Sequence, residues 1–170
     1  MKRTILVTGP IGSGKSSACR YLEGKGFPVY DTDSRTKALY HKVPGLIARI
    51  EERLGLEFSQ LRQIFSDSKK RQMLEDMVYP ILLDDIKAWR DAQNCDTVFI
   101  ESAIMLEKRI FDGLYDEVWL VEAPLQIREK RNPEAFRRDS LQHFGDKDER
   151  ITKRIINDAG LDDLYKQLDI

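Results

Sequence analysis

Gly9-Pro10-Ile11-Gly12-Ser13-Gly14-Lys15-Ser16 satisfies every fixed position of the pattern G-x-x-x-x-G-K-[ST]. That spacing predicts a phosphate-binding loop where a strand precedes it and a helix follows, and both flanks qualify. Thr4-Ile5-Leu6-Val7-Thr8 is a short β-branched, apolar run of the kind that forms a buried parallel strand. Ser16 to Glu23 reads as a helix ending at Gly24 and Gly26. Glycines in such a loop let successive N–H groups converge on phosphate oxygens, and the helix N-terminus adds positive potential. Gly12, Ser13, Gly14, Lys15, Ser16 and Ser17 are therefore the expected nucleotide-binding residues. Lys15 reaches the β- and γ-phosphates, and the Ser16 hydroxyl ligates Mg²⁺. The alternative is a glycine-rich turn with a solvated lysine, and the flanking strand and helix weigh against it.

The rest of the 170-residue chain fits one domain of this kind. Hydrophobic residues make up 41% and charged residues 34%, which is too apolar for a disordered chain. Lys+Arg 28 against Asp+Glu 29 leaves a net charge of −1, which argues against a general nucleic-acid coat. Cys19 and Cys95 have no metal-type spacing and read as a reduced pair. Met1-Lys2-Arg3 runs straight into the first strand, with no apolar leader and no membrane-length apolar stretch. These features predict a cytoplasmic protein with no membrane partner. No protein partner is legible.

Phe27-Pro28-Val29-Tyr30 reads as a second strand, running into Asp31-Thr32-Asp33 and a helix from Ser34 to Lys42. Acids at the carboxyl end of a strand lie where a doubly wound sheet binds its ligands. An isolated Asp33 would be an N-cap. Behind a phosphate loop it is the expected catalytic base, accepting the proton of an attacking hydroxyl. Asp31 is then a group that orients substrate or metal-bound water. From Val43 to Trp89 the strand–helix alternation lapses into helices over Leu46–Leu54, Ser59–Phe65 and about 69–91, the last expected to kink or break at Pro80. Thr97 to Glu101 is the third strand, and the Glu101 carboxylate at its end suits the magnesium ion. Glu107 follows in a loop or short helix that faces the acceptor. Glu117 to Val121 is the fourth strand, and Pro124 opens a helix whose Arg128 and Arg131, three apart, share a face. Asn132-Pro133 restarts a helix bearing Arg137 and Arg138, and Asp146 with Glu149 reads as a capping pair for another. Such a hairpin can act as a lid whose guanidiniums neutralise a transferring phosphoryl group. Arg154 to Asn157 is a fifth strand, and a last helix follows Gly160. His41 and His143 have no ligand companions and read as surface residues.

Taken in order, these residues resemble the dephospho-coenzyme A kinases. Gly9 to Ser16 is similar to that family's G-G-I-G-S-G-K-[ST], and Val29-Tyr30-Asp31-Thr32-Asp33 to its V-x-D-[AS]-D. Phe65-Ser66-Asp67 with Leu74-Glu75 resembles its F-x-D … L-E stretch, and Ile100 to Glu107 a variant of its D-x-P-L-L-F-E. Asn157 with Gly160 resembles its late Asn-x-Gly element, where the family holds the adenine of ATP. Three departures stand out. Tyr79 precedes Pro80 where the family has His, Glu101 replaces Asp, and the stretch from Arg128 to Asn157 is several residues shorter than the family's lid. The resemblance implies a P-loop α/β/α fold with a five-stranded parallel sheet. Its core would be about 1–42 and 92–170, with an acceptor-binding helical insertion at about 43–91 and a lid at about 125–152. It also implies ATP and Mg²⁺, with dephospho-coenzyme A as substrate. Asp33 would be the base, Lys15, Arg128 and Arg131 would neutralise charge, and Asp31, Tyr79 and Glu107 would contact the acceptor. Two other readings stay open: the same chemistry on a nucleoside or nucleotide, and a nucleotide-binding paralogue without catalysis.

Overall fold

The computed structural model describes residues 1–135 and 148–170. Its centre is β1 (Arg3–Thr8), where Thr4 to Thr8 are all buried. A strand buried along its whole length belongs in the middle of a parallel sheet covered on both faces. Around it stand β2 (Val29–Asp31), β3 (Thr97–Glu101), β4 (Glu117–Glu122) and β5 (Lys153–Ile156), all parallel, in the order β2-β3-β1-β4-β5. From β1 the chain goes out to β2 at one edge and back to β3 beside β1, then reverses across β1 to β4 and on to β5. A doubly wound sheet binds ligands at that reversal, beyond the strands' carboxyl ends.

Two compact units divide the chain. The sheet unit comprises Met1–Asp31 and Gln93–Ile170. It also holds α1 (Lys15–Gly24), α5 (Leu125–Arg131) and α6 (Leu161–Gln167). On one face Ile5, Val7, Phe99, Trp119, Val121 and Ile155 pack with Ala18, Cys19 and Leu22 of α1 and Leu164 and Leu168 of α6. Leu6, Val98, Ile100 and Leu120, pointing the other way, are equally buried. β2 begins at Val29 rather than Phe27; the Pro28 carbonyl still accepts from the Phe99 amide at 2.9 Å, and the Phe27 ring meets that of Phe99 at 5.6 Å.

The helical unit spans Thr32–Ala92. It contains α2 (Thr32–Lys42), α3 (Leu46–Leu54), a 3-10 helix over Phe58–Ser66 where an α-helix is expected, and α4 (Ser68–Ala92). Leu46, Ile50, Leu54, Ile64 and Val78 form its core. Arg35 ties α2 to α4 through Asp85 at 2.9 Å. The expected break at Pro80 does not occur, and α4 runs through it for 25 residues. Proline removes the donor to the carbonyl four residues back. That residue, Asp76, and Pro80 itself are both exposed, so water can take the missing bond. α2 also starts two residues early, which puts Asp33 inside its first turn rather than at its cap.

Candidate active site

The loop from Gly9 to Gly14 leaves the carboxyl end of β1 and enters α1, so Lys15 and Ser16 open the helix. It is held from outside by parts of the chain far away in sequence. Asn157 follows β5 directly, and its buried side chain donates to the Ser13 carbonyl at 2.9 Å. Arg131 donates to the carbonyls of Gly12 at 3.0 Å and Ser13 at 3.4 Å, and to that of Asn157 at 3.4 Å. The Ser13 amide closes a turn onto the Pro10 carbonyl at 3.1 Å, and glycine-rich turns of this kind gather further backbone amides for anion binding. A Cβ on Gly12 would meet the Arg128 carbonyl at 2.8 Å, and one on Gly14 would overlap Asn157 Nδ2. Glycine at both positions is therefore a packing requirement, and φ of 77° and 100° adds a backbone one.

Lys15 Nζ donates to the Gly9 carbonyl at 2.6 Å and reaches Pro10 at 3.5 Å, which places the ammonium across the loop. Ser16 Oγ donates to Glu101 Oε1 at 2.8 Å. Glu101 ends β3, and in the β2–β3 register its partner is Asp31. Partial burial raises the Glu101 pKa above the ordinary carboxylate range, the Ser16 bond pulls it down, and the Asp31 carboxylate pushes it up. Cys19 lies one turn beyond Ser16 on α1 and is buried in the core of the sheet unit. Burial, then the Glu101 charge, pushes its thiol well above its usual pKa. Both cysteines are free thiols, as expected.

The two arginines expected to act together part company. Arg128 is buried, with Nε donating to the Ala123 carbonyl at 2.9 Å, whereas Arg131 is exposed and rests on the loop. Their three-residue spacing holds, but α5 presses its Arg128 side into the body of the unit. Arg137, Arg138, His143 and Asp146 lie outside the described residues. The capping pair expected of Asp146 with Glu149 therefore lies partly outside the described residues; Asp148 accepts from the Arg150 amide at 3.0 Å in the turn that precedes β5.

Glu107, itself exposed, ends a 3-10 turn (Met105–Glu107) whose Met105 and Leu106 are buried and which is started by Ser102 Oγ accepting from the Met105 amide at 3.2 Å. Arg150, which sequence reasoning passes over, ties that turn down by donating to the Leu106 carbonyl at 2.7 Å. One more charge in a charged stretch carries no signal. An open cleft of about 250 Å³ beside the loop is lined by Gly14, Ser17, Arg131, Asn157, Ala159, Gly160 and Leu161. Ala159 and Leu161 are also unforeseen, although the turn after β5 at the same sheet edge points to them.

In the helical unit, Asp33 has a side chain 91% exposed, 3.9 Å from Lys37 Nζ one turn on. Tyr79 on α4 is half-buried, and its hydroxyl donates to Glu75 at 3.4 Å. Burial, then the Glu75 carboxylate, pushes the Tyr79 phenol far above its ordinary value. His41 is exposed, with its ring 6.0 Å from that of Phe58.

A five-stranded parallel sheet with a phosphate loop after its central strand, and a lysine, a serine and a carboxylate at the sheet edge, defines a P-loop kinase. The dephospho-CoA kinase family model matches residues 3–158, and the chain belongs to that family. A dephospho-CoA kinase of Porphyromonas gingivalis is 36% identical over 137 residues, 75% of this chain and 67% of that one. One from a Synechococcus species is 31% identical over 191 aligned positions, covering 99% and 94%. A crystal structure from Thermus thermophilus superposes with a TM-score of 0.83 at 27% identity, covering 98% and 93%. The dephospho-CoA kinase of Campylobacter jejuni (TM-score 0.70, 20% identity, 99% and 94% covered) shares the fold. So does the shikimate kinase of Acinetobacter baumannii (0.53, 18%, 99% and 91%).

Proposed function

We propose that this chain transfers the γ-phosphoryl group of ATP to the ribose 3′-hydroxyl of dephospho-coenzyme A, yielding coenzyme A and ADP in the cytoplasm. The observation that carries this is the Ser16–Glu101 hydrogen bond at 2.8 Å beside Lys15, in a chain of this family. A hydroxyl and a carboxylate held together at a sheet edge, with Asp31 paired to Glu101 on the next strand, make a set of hard oxygen donors. That set fits Mg²⁺, which takes few protein ligands and keeps its water and phosphate oxygens. Among the described residues no cluster of three or more acidic, His or Cys side chains forms a cage for a metal. When bound, Mg²⁺ neutralises charge on the β- and γ-phosphates.

The chain's own residues divide the remaining work. The amides from Gly12 to Ser17 bind the phosphates while Asn157 and Arg131 hold the loop's carbonyls outward. Lys15 exchanges its loop carbonyls for phosphate oxygens, and Arg131, exposed beside the loop, neutralises charge as transfer proceeds. Arg128 supports the loop from beneath Gly12. The cleft beside Asn157 takes the adenine. Asp31, Tyr79 and Glu107 contact the acceptor, Tyr79 being the one of the three in the helical unit. Asp33 accepts the proton of the 3′-hydroxyl as its oxygen attacks the γ-phosphorus and ADP leaves.

ADP release with MgATP, measured with dephospho-coenzyme A and with a panel of nucleosides and nucleotides, tests the acceptor. Selective stimulation by dephospho-coenzyme A is expected. Stimulation only by another acceptor moves the substrate, and ATP binding without turnover leaves a binding protein. D33N is expected to cut turnover about 10²–10⁴-fold with ATP affinity retained, as for loss of a general base. Retained turnover removes Asp33 from that role.

A further inference from the structure

β5 is an edge of the sheet, and an edge strand leaves main-chain groups unpaired along its outer side. At Ile156 a side chain takes their place. Gln167, the last residue of α6, sets its amide against that residue. Nε2 donates to the Ile156 carbonyl at 2.8 Å, and Oε1 accepts from the Ile156 amide at 2.9 Å. Only one orientation of the side-chain amide makes both bonds, since a flip would oppose donor to donor and acceptor to acceptor. Nε2 also lies 3.3 Å from the Asp163 carbonyl and from Asp163 Oδ2, one turn back on α6. The amide thus joins the end of the last helix to the end of the last strand.

The Ile156 carbonyl and the Asn157 amide belong to one peptide plane. Gln167 grips the first, and the Glu122 carbonyl on β4 accepts from the second at 2.7 Å. Held at both ends, that plane fixes the direction in which Asn157 leaves the strand. Asn157, Ala159, Gly160 and Leu161 then line the cleft beside the phosphate loop, and Leu161 opens the helix that carries Gln167. The turn is therefore clamped where it starts and tied, through the same side chain, to the helix where it ends. Leu161 is 55% exposed, an apolar group at the cleft of the kind a flat ligand covers. Leu164 and Leu168 anchor α6 in the core on their own account, so the Gln167 bonds are not what keeps the helix on the sheet.

We propose that Gln167 is a positioning residue for base binding: by bonding both main-chain groups of Ile156, it holds the turn from Asn157 to Leu161 in the shape that receives the purine. Sites are preorganised by supporting bonds of this sort. The inference rests on the reading of that cleft as the adenine site. The phosphate loop has a separate brace in Arg131, which bonds Gly12 and Ser13. Loss of Gln167 is therefore felt by the base rather than by the phosphates.

The test compares two ligands by calorimetry in Mg²⁺, the imido analogue of ATP and inorganic tripolyphosphate. The ratio of their affinities reports what the nucleoside half adds. Q167M, close in size but without donor or acceptor at that point, is expected to lower the ratio about tenfold and to leave the tripolyphosphate affinity unchanged. An unchanged ratio overturns the inference while the reading of the cleft stands. So does an equal loss for both ligands, which would make Gln167 a support of the whole sheet unit. A parent that binds tripolyphosphate as tightly as the imido analogue overturns the reading of the cleft and the inference with it. Should Q167M fail to fold, hydrogen exchange of the Ile156 amide in the parent decides. The imido analogue is expected to slow it and tripolyphosphate to leave it unchanged, and any other pattern overturns the inference.

Discussion

At Gly14 a single added methyl group would overlap the Asn157 amide that braces Ser13. G14A is expected to lose nucleotide binding and to destabilise the sheet unit by about 1–3 kcal/mol, the range for a buried hydrogen bond broken at one end. N157A frees the Ser13 carbonyl of its shortest bond and is expected to cost about 1 kcal/mol by itself. In the double variant the clash has nothing to strike, so its stability loss is expected to fall short of the two losses added. Urea denaturation of the four proteins gives the coupling. Strict additivity would mean that Gly14 is required for its φ of 100° alone.

At the scale of elements, α4 carries a titration that reports on the helical unit. The Tyr79 hydroxyl is half-buried against Glu75, and its pKa lies above the ordinary 10.0, by burial first and by that carboxylate second. A phenol raised in the folded state gives stability that is complete below its unfolded pKa and is lost as pH rises through the folded one. The urea midpoint is therefore expected to begin falling near the unfolded phenol's pKa of about 10 and to keep falling as the pH rises further, and Y79F to flatten the fall. Tyr40, also raised by burial and then by Asp33, leaves part of the slope in place. An identical slope in Y79F would separate Tyr79 from the alkaline transition. Elements such as β1, the loop and α1 were legible because a few neighbouring residues dictate them: a β-branched apolar run in one, glycine positions in another, helix stops in the third. The bond from Ser16 to Glu101 follows from sheet topology, because the loop after β1 and the carboxyl end of the neighbouring β3 share one sheet edge. Other features depend on what lies beyond the local chain. Pro80 is tolerated because its side of α4 is exposed, Arg128 turns inward because α5 packs there, and Arg150 finds a carbonyl 44 residues away. Local sequence carries none of those three.

The whole molecule divides its contacts between a sheet unit and a helical unit, and the proposed chemistry divides its substrates the same way. A nucleotide at a hundred times its Kd adds about 2.7 kcal/mol to whatever it binds. Hydrogen exchange with the imido analogue is expected to slow amides in residues 1–31, 93–135 and 148–170, above all near Gly9 to Ser17. The amides of Thr32–Ala92 are expected to slow on adding dephospho-coenzyme A. Uniform protection by nucleotide alone would contradict this division.

The bracing of Ser13 by Asn157, across 144 residues, also bears on how the protein is made. The phosphate loop leaves the ribosome long before Asn157 does, yet it has no finished form until β5 and the residue after it have been synthesised. A nascent chain arrested before Asn157 would carry the complete glycine motif without its outward-tied carbonyls. ATP should therefore be a poor ligand for the growing chain and a good one only for the released protein.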